Sequence, residues 1–334
     1  MEFTITAANP LDHADEIKRL FATHGRPEFP AFFDRAYGAA VRAGGTSWLA
    51  RDGAGNLVMH VACFPRRFRF GARDIVGGLL MNAMAAEAYR SFFPARTLMR
   101  RARDDSAAGG IDFLYTDPND PARAVLEGSG FHRIGTLARH VLLVGDRRWL
   151  VDGAIRLLHA ARARRMSNSG GRPAAAAAAQ QSPAAFDAPW GDSPRLRPYY
   201  DAGVYWARLE EYPGPADRWF TFPTNGATSP LAAGLLIRGP DASGVATLLA
   251  IRRRPEIPLQ VVIPGLVRAL RERGCTRLQL LTLAESRFST ELRSVGFVIR
   301  RDATPVLAAA LTAAGDAALD AVSDWEITGL DCDR

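Results

Sequence analysis

The sequence predicts an α/β (α+β) protein built from two consecutive units. The 334 residues exceed the usual length of one domain and suggest two. Strand and helix patterns alternate along the first 145 residues, and a similar order returns after residue 195. Between them, residues 166–194 are rich in Ala, Pro, Gly and Ser, a composition typical of a flexible linker.

In the first unit, residues 1–145, apolar positions follow the two-residue period of strands or the 3.6-residue period of helices. Strands are predicted at Phe3–Ala7, Thr46–Arg51, Asn56–Phe64, Phe68–Phe70, Arg73–Ala86, Ile111–Thr116 and Thr136–Val144. Helices are predicted at Asp15–Thr23, Phe29–Ala43, Pro94–Asp104 and Pro121–Gly128. The tetrapeptide Asp52-Gly-Ala-Gly is typical of a hairpin turn. This alternation favours a sheet with helices on its faces.

A basic amphipathic helix is predicted to connect the units at residues 146–165. From Arg139 to Arg172 there are eight Arg and two Asp, so most of the formal net charge of +7 falls in this segment. Such a segment favours an anionic partner, and a membrane surface is one alternative. Because the charge is confined to one helix with no aromatic stacking platform, we do not expect a nucleic-acid partner.

The second unit, residues 195–334, repeats the order of the first more loosely. Helices are predicted at Tyr205–Tyr212, Val261–Arg273 and Ser289–Ser294. Strands are predicted at Trp219–Phe222, Leu231–Arg238, Gly244–Ile251, Thr276–Leu283 and from Val298 onward. The repeated order predicts an internal duplication of one fold.

The composition argues against several classes of chemistry. Lys18 is the single lysine, so no phosphate loop ending in Gly-Lys is present and a pyridoxal Schiff base is not expected. The three cysteines form no Cys-x-x-Cys pair, which favours a reducing cytoplasm. The six histidines lack metal-ligand spacing, so no metal site is expected. Neither a membrane-spanning apolar run nor a signal peptide is recognised.

The stretch Ala83–Phe131 carries the most informative pattern. A strand that ends in small residues, Ala83–Ala88, is followed by a turn at Tyr89–Ala95 and then by a basic helix. The start of that helix presents unpaired N–H groups suited to a pyrophosphate. After the next strand, Asn119-Asp-Pro-Ala precedes Gly130-Phe131. This order and spacing resemble the GNAT acyltransferase superfamily. The C-terminal segment Trp325–Asp333 also resembles two-domain GNAT-like proteins encoded with polysaccharide genes.

The resemblance covers about residues 1–145 and, more faintly, 195–330. It implies two tandem GNAT-like domains, each a mixed, mostly antiparallel sheet flanked by helices. It also implies an acyl-CoA co-substrate, expected to be acetyl-CoA, whose pantetheine enters where the fourth and fifth strands separate. The residues that it places at the coenzyme A site are Ala85, Arg90, Phe93, Ala95, Arg96 and Asn119.

Two positions depart from the family pattern. Phe93 stands where a glycine is usual, and Leu126 stands where the family often has a tyrosine as general acid. His60 is a candidate base because its intrinsic pKa suits proton removal. Asn82 is a candidate for orienting an amine or a water, and Glu87 is a candidate carboxylate at the end of the fourth strand.

The second unit departs further from the family. Arg252-Arg-Arg stands where the pyrophosphate loop is expected and contains no glycine. Glu285 takes the position of the Asn, and Leu292 takes that of the tyrosine. We therefore expect a non-catalytic half.

The leading hypothesis is an acyl-CoA-dependent acyltransferase that moves an acyl group, expected to be acetyl, to an amine of a small polar or amino-sugar acceptor by direct attack. A second hypothesis is a non-catalytic binding or scaffold protein made of two GNAT-like folds, which Leu126 and Phe93 favour. A third is a Fem-type transferase, which also pairs two GNAT-like folds and takes aminoacyl-tRNA.

Overall fold

The computed structural model describes residues 2–144, 193–198, 218–223, 231–254 and 257–329. Three predictions fall outside these residues, namely the connecting helix 146–165, the linker as far as residue 192, and the helix Tyr205–Tyr212. Among the described helices none is long and apolar enough to cross a membrane. In the same residues no cluster of three or more His, Cys, Asp or Glu could hold a metal ion.

The described residues form twelve strands and seven α-helices. The strands β1 to β12 are Phe3–Ala8, Thr46–Asp52, Leu57–Gly71, Arg73–Ala85, Phe113–Thr116, His132–Leu143, Ser193–Pro198, Arg218–Pro223, Leu231–Arg238, Val245–Arg253, Arg277–Leu283 and Val298–Ala310. The helices α1 to α7 are Ala14–Thr23, Phe29–Arg42, Phe92–Ala108, Asp120–Glu127, Leu259–Arg271, Arg287–Ser294 and Ala313–Asp320.

The chain folds into two compact units, and each is discontinuous in sequence. The described part of unit 1 is 2–137, 193–198 and 304–327, and that of unit 2 is 138–144, 218–223, 231–254, 257–303 and 328–329. This division differs from the contiguous domains 1–145 and 195–334 expected from the sequence. The reason is that β6 and β12 each begin in one unit and end in the other.

In unit 1 the strand order is β1-β2-β3-β4-β5-β12. The pairs β1–β2, β2–β3, β3–β4 and β5–β12 are antiparallel, whereas β4 and β5 are parallel. Strand β7 pairs with the end of β3, beyond the part of β3 that pairs with β2. The sheet is therefore mixed and mostly antiparallel, as the resemblance implied.

Helices cover both faces of the unit 1 sheet because side chains of successive strand residues point to opposite faces. On β3, Val61 and Cys63 belong to the core that includes residues of α3 and α4. Ala62 and Phe64 belong to a second core that includes residues of α1 and α2. The aromatic members of that second core are Phe21, Phe29, Phe33, Tyr37 and Phe64.

In unit 2 the strand order is β6-β11-β10-β9-β8. Strand β10 pairs antiparallel with β9 and parallel with β11, as β4 does with β3 and β5 in unit 1. Helix α5 follows β10 as α3 follows β4, and α6 precedes a Gly296-Phe297 turn as α4 precedes Gly130-Phe131. The α/β class and the repeated order predicted from the sequence are confirmed.

Several elements differ from the prediction. The two segments expected at Asn56–Phe64 and Phe68–Phe70 form one continuous strand, β3, which contains Pro65. The strand predicted from Val298 extends to Ala310, and its second half pairs with β5. Strand β7 and helix α7 were not predicted.

Candidate functional site

Strand β4 separates from β5 in the middle of unit 1. It pairs with β3 from Arg73 to Ala85, but its parallel pairing with β5 is confined to Gly77–Leu79. Beyond Leu79 the edge of β4 toward β5 therefore has no strand partner in the described chain. Backbone N–H and C=O groups on this edge remain available to a ligand, because each non-proline residue carries one donor and one acceptor.

Gly77 and Gly78 allow the close packing at the point where β4 and β5 meet. A methyl group at Gly77 would lie 2.7 Å from the Phe113 ring, and one at Gly78 would lie 2.6 Å from the Cys63 sulfur. Because real side chains do not approach so closely, these positions require glycine unless the core shifts. The glycines thus permit the close packing around the segment of β4 that pairs with β5.

A β-bulge in β4 lies just beyond this point. His60 and Ala62 of β3 face Met84 and Met81 of β4, so two residues of β4 occupy the space opposite one residue of β3. One of them, Asn82, has a φ of 53°, in the left-handed region that Asn tolerates better than most residues. The bulge re-aims the backbone of β4 at the opening of the strand pair.

His60 lies beneath the bulge and holds it from inside the core. Its Nδ1 is 2.9 Å from the carbonyl oxygen of Asn82, and its Nε2 is 3.0 Å from the Ser47 hydroxyl. A carbonyl can only accept, so Nδ1 carries the proton and Nε2 accepts from Ser47. The ring is fully buried, and this burial lowers the pKa of His60 to about 4. His60 is therefore neutral near pH 7, and both its nitrogens are occupied.

The other two catalytic candidates have different surroundings. Asn82 is half-buried, and its side-chain nitrogen is buried without a hydrogen-bond partner in the described part of the protein. Glu87 is exposed at the start of a one-turn 3₁₀ helix, Glu87–Tyr89. Asn82 and Glu87 thus lie at or just after the bulge, whereas His60 is enclosed in the aromatic core.

Arg90 fixes the loop that follows β4. Its guanidinium donates to the Ala85 carbonyl at 3.0 Å and to the His24 carbonyl at 2.9 Å. These bonds connect the loop to the end of β4 and to the residue after α1. Two predicted coenzyme A contacts, Ala85 and Arg90, are therefore joined to each other, and these two hydrogen bonds of Arg90 support the loop.

The first turn of α3 presents free N–H groups. The Ser91 side chain makes no cap hydrogen bond, and Pro94 has no amide to donate. The Ala95 N–H lies 3.5 Å from the Ser91 carbonyl, at the limit of a hydrogen bond. The N–H groups of Phe92 and Phe93 have no intrahelical partner, as at any helix start. The N-terminus of α3 thus offers two amides and a positive dipole end to an anion.

Phe93 points away from the protein, whereas Phe92 packs against α4. Phe93 is 75% exposed, and its ring touches that of Phe92 with the centroids 5.7 Å apart. A methyl group at Gly128 would lie 2.6 Å from Cζ of Phe92, so this ring sits on the end of α4. The Arg96 guanidinium lies over the Phe92 ring, and its Nε is buried without a partner in the described chain.

Asn119 caps α4. Its side-chain oxygen accepts the N–H of Ala122 at 3.1 Å, while the residue itself is exposed. Leu126 is buried in the core shared by α3 and α4, so it takes part in packing. Leu126, which stands where the resemblance implies a tyrosine, therefore offers no proton donor.

Asp117 is not among the residues predicted for the site from the sequence. It follows the last residue of β5 at the opening between the strands, and its side chain is half-buried with one oxygen fully buried. The signal that could have found it is a carboxylate immediately after a short apolar strand.

Unit 2 has the same short parallel pairing followed by a bulge, but residues of unit 2 itself form hydrogen bonds with the backbone there. Strand β10 pairs with β11 only over Val245–Thr247, and a bulge follows at Leu249. The Leu249 carbonyl accepts the hydroxyl of Thr328 at 2.6 Å, and Thr328 is 3% exposed. Arg253 donates to the Ile257 carbonyl at 2.7 Å and pairs with Glu291.

The register of the two copies can be fixed from their turns. The N–H of Phe131 bonds to Leu126 and that of Phe297 bonds to Leu292, each at 3.1 Å, so Leu292 does match Leu126. The helix cap that corresponds to Asn119 is Ser286, which accepts the Ser289 N–H at 3.0 Å. Counted back seven residues from each leucine, Glu285 does take the position of Asn119, but the cap of α6 lies one residue later, at Ser286.

Comparison with known proteins gives no match among family models and none among curated sequences. Solved structures do match. A probable N-acyltransferase from Enterococcus faecalis V583 aligns with a TM-score of 0.61 and 9% identity, covering 93% of this chain and 73% of that one. A tandem GNAT protein from the clavulanic acid biosynthesis pathway aligns with a TM-score of 0.50 and 14% identity, covering 93% and 99%.

A third structure is a GCN5-related glucosamine N-acetyltransferase region from a fungal multi-domain protein. It aligns with a TM-score of 0.52 and 12% identity, covering 92% of this chain and 38% of that one. Identities this low are informative about the fold and not about the reaction. Together with the separated β4 and β5 and their bulge, these likenesses show that the chain has the fold of the GNAT acetyltransferases, in a tandem arrangement.

Proposed function

We propose that unit 1 is an acyl-CoA-dependent N-acyltransferase that transfers an acyl group, expected to be acetyl, to an amine. The observation that carries the proposal is the loss of β4–β5 pairing immediately before the bulge at Asn82. This geometry leaves backbone donors and acceptors of β4 unpaired beside an opening. An extended amide-containing chain such as pantetheine can add to such an edge by hydrogen bonding.

The side chains near the opening fit an anionic donor. Arg96 has a buried Nε without a partner in the described residues, and the first turn of α3 adds the N–H groups of Phe92 and Phe93. These groups carry positive charge or partial positive charge, as a pyrophosphate requires. The Phe93 ring is mostly exposed, so it is not packed between β4 and β5.

In the proposed reaction a neutral amine attacks the thioester carbonyl. The new C–N bond forms and the C–S bond breaks, so coenzyme A leaves as a thiolate. The amine loses one proton to a base, and the thiolate then takes up one proton from water. Backbone N–H groups at the bulge polarise the carbonyl. Alignment of the two substrates supplies much of the rate, since well-oriented reactants gain roughly 7–11 kcal/mol.

The proton relay in this proposal does not pass through His60. A base with a pKa of about 4 and both nitrogens engaged is poorly suited to accept a proton at pH 7. The exposed Glu87 carboxylate accepts the proton through water, and the free amide of Asn82 orients the amine or that water. His60 acts as a positioning residue that holds the Asn82 carbonyl.

The acceptor we propose is a small polar amine, with an amino sugar as the first choice. The C-terminal resemblance to proteins encoded with polysaccharide genes supports this choice, as does the glucosamine N-acetyltransferase named above. We expect the reaction in the cytoplasm, where acyl-CoA is available.

A second candidate function is non-catalytic ligand binding by the same opening. The observation that favours it is Leu126, whose burial in the core leaves the general-acid position without a donor. The two candidates agree on acetyl-CoA binding and differ in turnover.

Calorimetric titration with acetyl-CoA tests the shared part, and coenzyme A release with a panel of amines, glucosamine included, tests turnover. Arg96→Ala is expected to weaken acetyl-CoA binding about tenfold or more, the loss of roughly 1.4 kcal/mol expected for a charged contact. Arg35→Ala removes an exposed arginine of α2 and serves as the matched control. Binding without release would favour the second candidate. No binding at millimolar acetyl-CoA would refute both.

A further inference from the structure

A second opening of unit 1 lies at the other end of α3. It is a cavity of about 560 Å³, within the size range of metabolite sites. Asp105 and Ser106 of α3 line it, whereas Arg96 of the candidate donor site is ~13 Å away along the helix axis. The start of β4, represented by Val76, also lines it, while the bulge is near the end of β4. The two openings are therefore separate.

The wall of this cavity is apolar over much of its surface. Trp48, Cys63 and Ile111 are buried core residues that contribute to the lining, and Pro65 and Val76 are half-buried members. Cys63 adds no nucleophile, because burial raises the pKa of its thiol to about 12. The wall suits an apolar or aromatic portion of a ligand.

The polar lining of the cavity has an excess of positive charge. Arg42 and Arg67 are exposed, and neither forms a salt bridge with a described residue. The Asp105 carboxylate is already engaged, at 2.8 Å by the Trp48 indole N–H and at 2.8 Å by the Arg101 guanidinium. Arg66 also lines the cavity and donates to the Pro65 carbonyl. The two outer arginines leave the site cationic.

Ser106 supplies a hydrogen-bonding group inside the cavity. Its side chain is 4% exposed, and no described residue satisfies its hydroxyl with ordinary hydrogen-bond geometry. It lies beside the Cys63 thiol, which is a weak partner. A buried hydroxyl without a strong partner is costly, so a ligand atom that bonds to it is favoured.

We infer that this cavity binds an organic anion, with its carboxylate or phosphate between Arg42 and Arg67, its apolar portion against Trp48 and Pro65, and one polar atom at Ser106. The inference does not depend on the proposed acyl transfer.

The test uses the full chain and two carboxylate probes, hexanoate and 4-phenylbutyrate, each compared with its neutral primary amide by calorimetry. We expect the carboxylates to bind at or below about 10 mM and the amides at least tenfold more weakly. The double variant Arg42→Glu/Arg67→Glu is expected to lose at least tenfold in carboxylate affinity. Both side chains are exposed, so the fold should survive.

Arg35→Glu, which reverses an exposed charge elsewhere on α2, is the control and should bind as the parent does. Ser106→Ala should weaken binding without loss of stability, since it removes a buried hydroxyl that lacks a strong partner. Equal affinity of acid and amide, equal affinity of the double variant and parent, or no binding of either acid would overturn the inference. Acetyl-CoA titration of the double variant should be unchanged, which separates this result from that of the proposed function.

Discussion

The Nδ1 of His60 lies 2.9 Å from the carbonyl oxygen of Asn82 and joins the aromatic core of unit 1 to the bulge of β4. Both partners are unusual: His60 is a fully buried histidine, and Asn82 is a non-glycine residue with a positive φ. A bulge leaves a backbone group outside the strand ladder. The imidazole satisfies that group, so the core determines the shape of the candidate site.

This hydrogen bond predicts a specific acid sensitivity. Burial lowers the pKa of His60 to about 4, whereas the unfolded chain keeps the ordinary value of 6.5. Between these two pH values the unfolded state binds more protons, so stability falls as the pH is lowered through this window and levels off below it. The contribution of His60 between pH 7 and pH 4 is about 3 kcal/mol.

Urea unfolding at several pH values measures this effect in the parent and in His60→Gln. The variant should lose about 3 kcal/mol less than the parent over the same interval, although it starts less stable. His140 is also buried with a lowered pKa, but it is present in both proteins and cancels. His132→Gln, at an exposed position, should keep the parental slope. If the unfolding free energy changed with pH equally in the parent and in His60→Gln, the His60 ring would not be shielded from water in the folded protein.

Gly128→Ala should destabilise unit 1 through Phe92. The added methyl group would lie 2.6 Å from Cζ and 3.2 Å from Cε2 of that ring, which must move. We expect a loss of about 1–3 kcal/mol, typical of overpacking, and weaker acetyl-CoA binding because Arg96 rests on the same ring. Gly53→Ala has open space around it and is the control. A melting temperature equal to that of the control would contradict the packing.

The sequence predicts much of this fold because its periodicities are local. The pattern of β4 identified the strand to within one residue, and the Asn119 to Phe131 spacing identified α4 and its closing turn. The sequence prediction divided β3 into two segments and left out Pro65, which lies between them. In the structure, pairing of β3 with β2 ends at Cys63, so the missing amide of Pro65 interrupts no β2 ladder.

The remaining features depend on contacts between residues far apart in sequence. β7 pairs with β3, and the end of β12 pairs with β5, so neither has a local signal that identifies its unit. The bulge also lacks a local signal, because nothing in the sequence around Asn82 indicates a positive φ. The burial of His60 follows from which face of β3 is covered by α1 and α2, which periodicity alone does not state.

Two roles of Asn119 can be tested separately, namely its capping of α4 and its predicted contact with coenzyme A. Removing the cap with Asn119→Ala should cost about 1 kcal/mol of stability, whereas Asn119→Ser should keep most of it. Thermal unfolding measures this part. If the amide also contacts acetyl-CoA, calorimetry should show weaker binding for Asn119→Ser at unchanged stability. Parental affinity in Asn119→Ser would assign the residue to capping alone.

Thr328 provides the last test, in unit 2. Its hydroxyl donates to the bulge carbonyl of Leu249, so Thr328→Val removes this donor at nearly constant volume and leaves a buried acceptor without it. We expect a loss of about 1–3 kcal/mol in the unfolding of unit 2, and Thr328→Ser should restore most of it. Acetyl-CoA binding to unit 1 should be unchanged in both variants. If Thr328→Val instead gained a second acetyl-CoA site with no loss of stability, the threonine would be a removable block and not a structural partner.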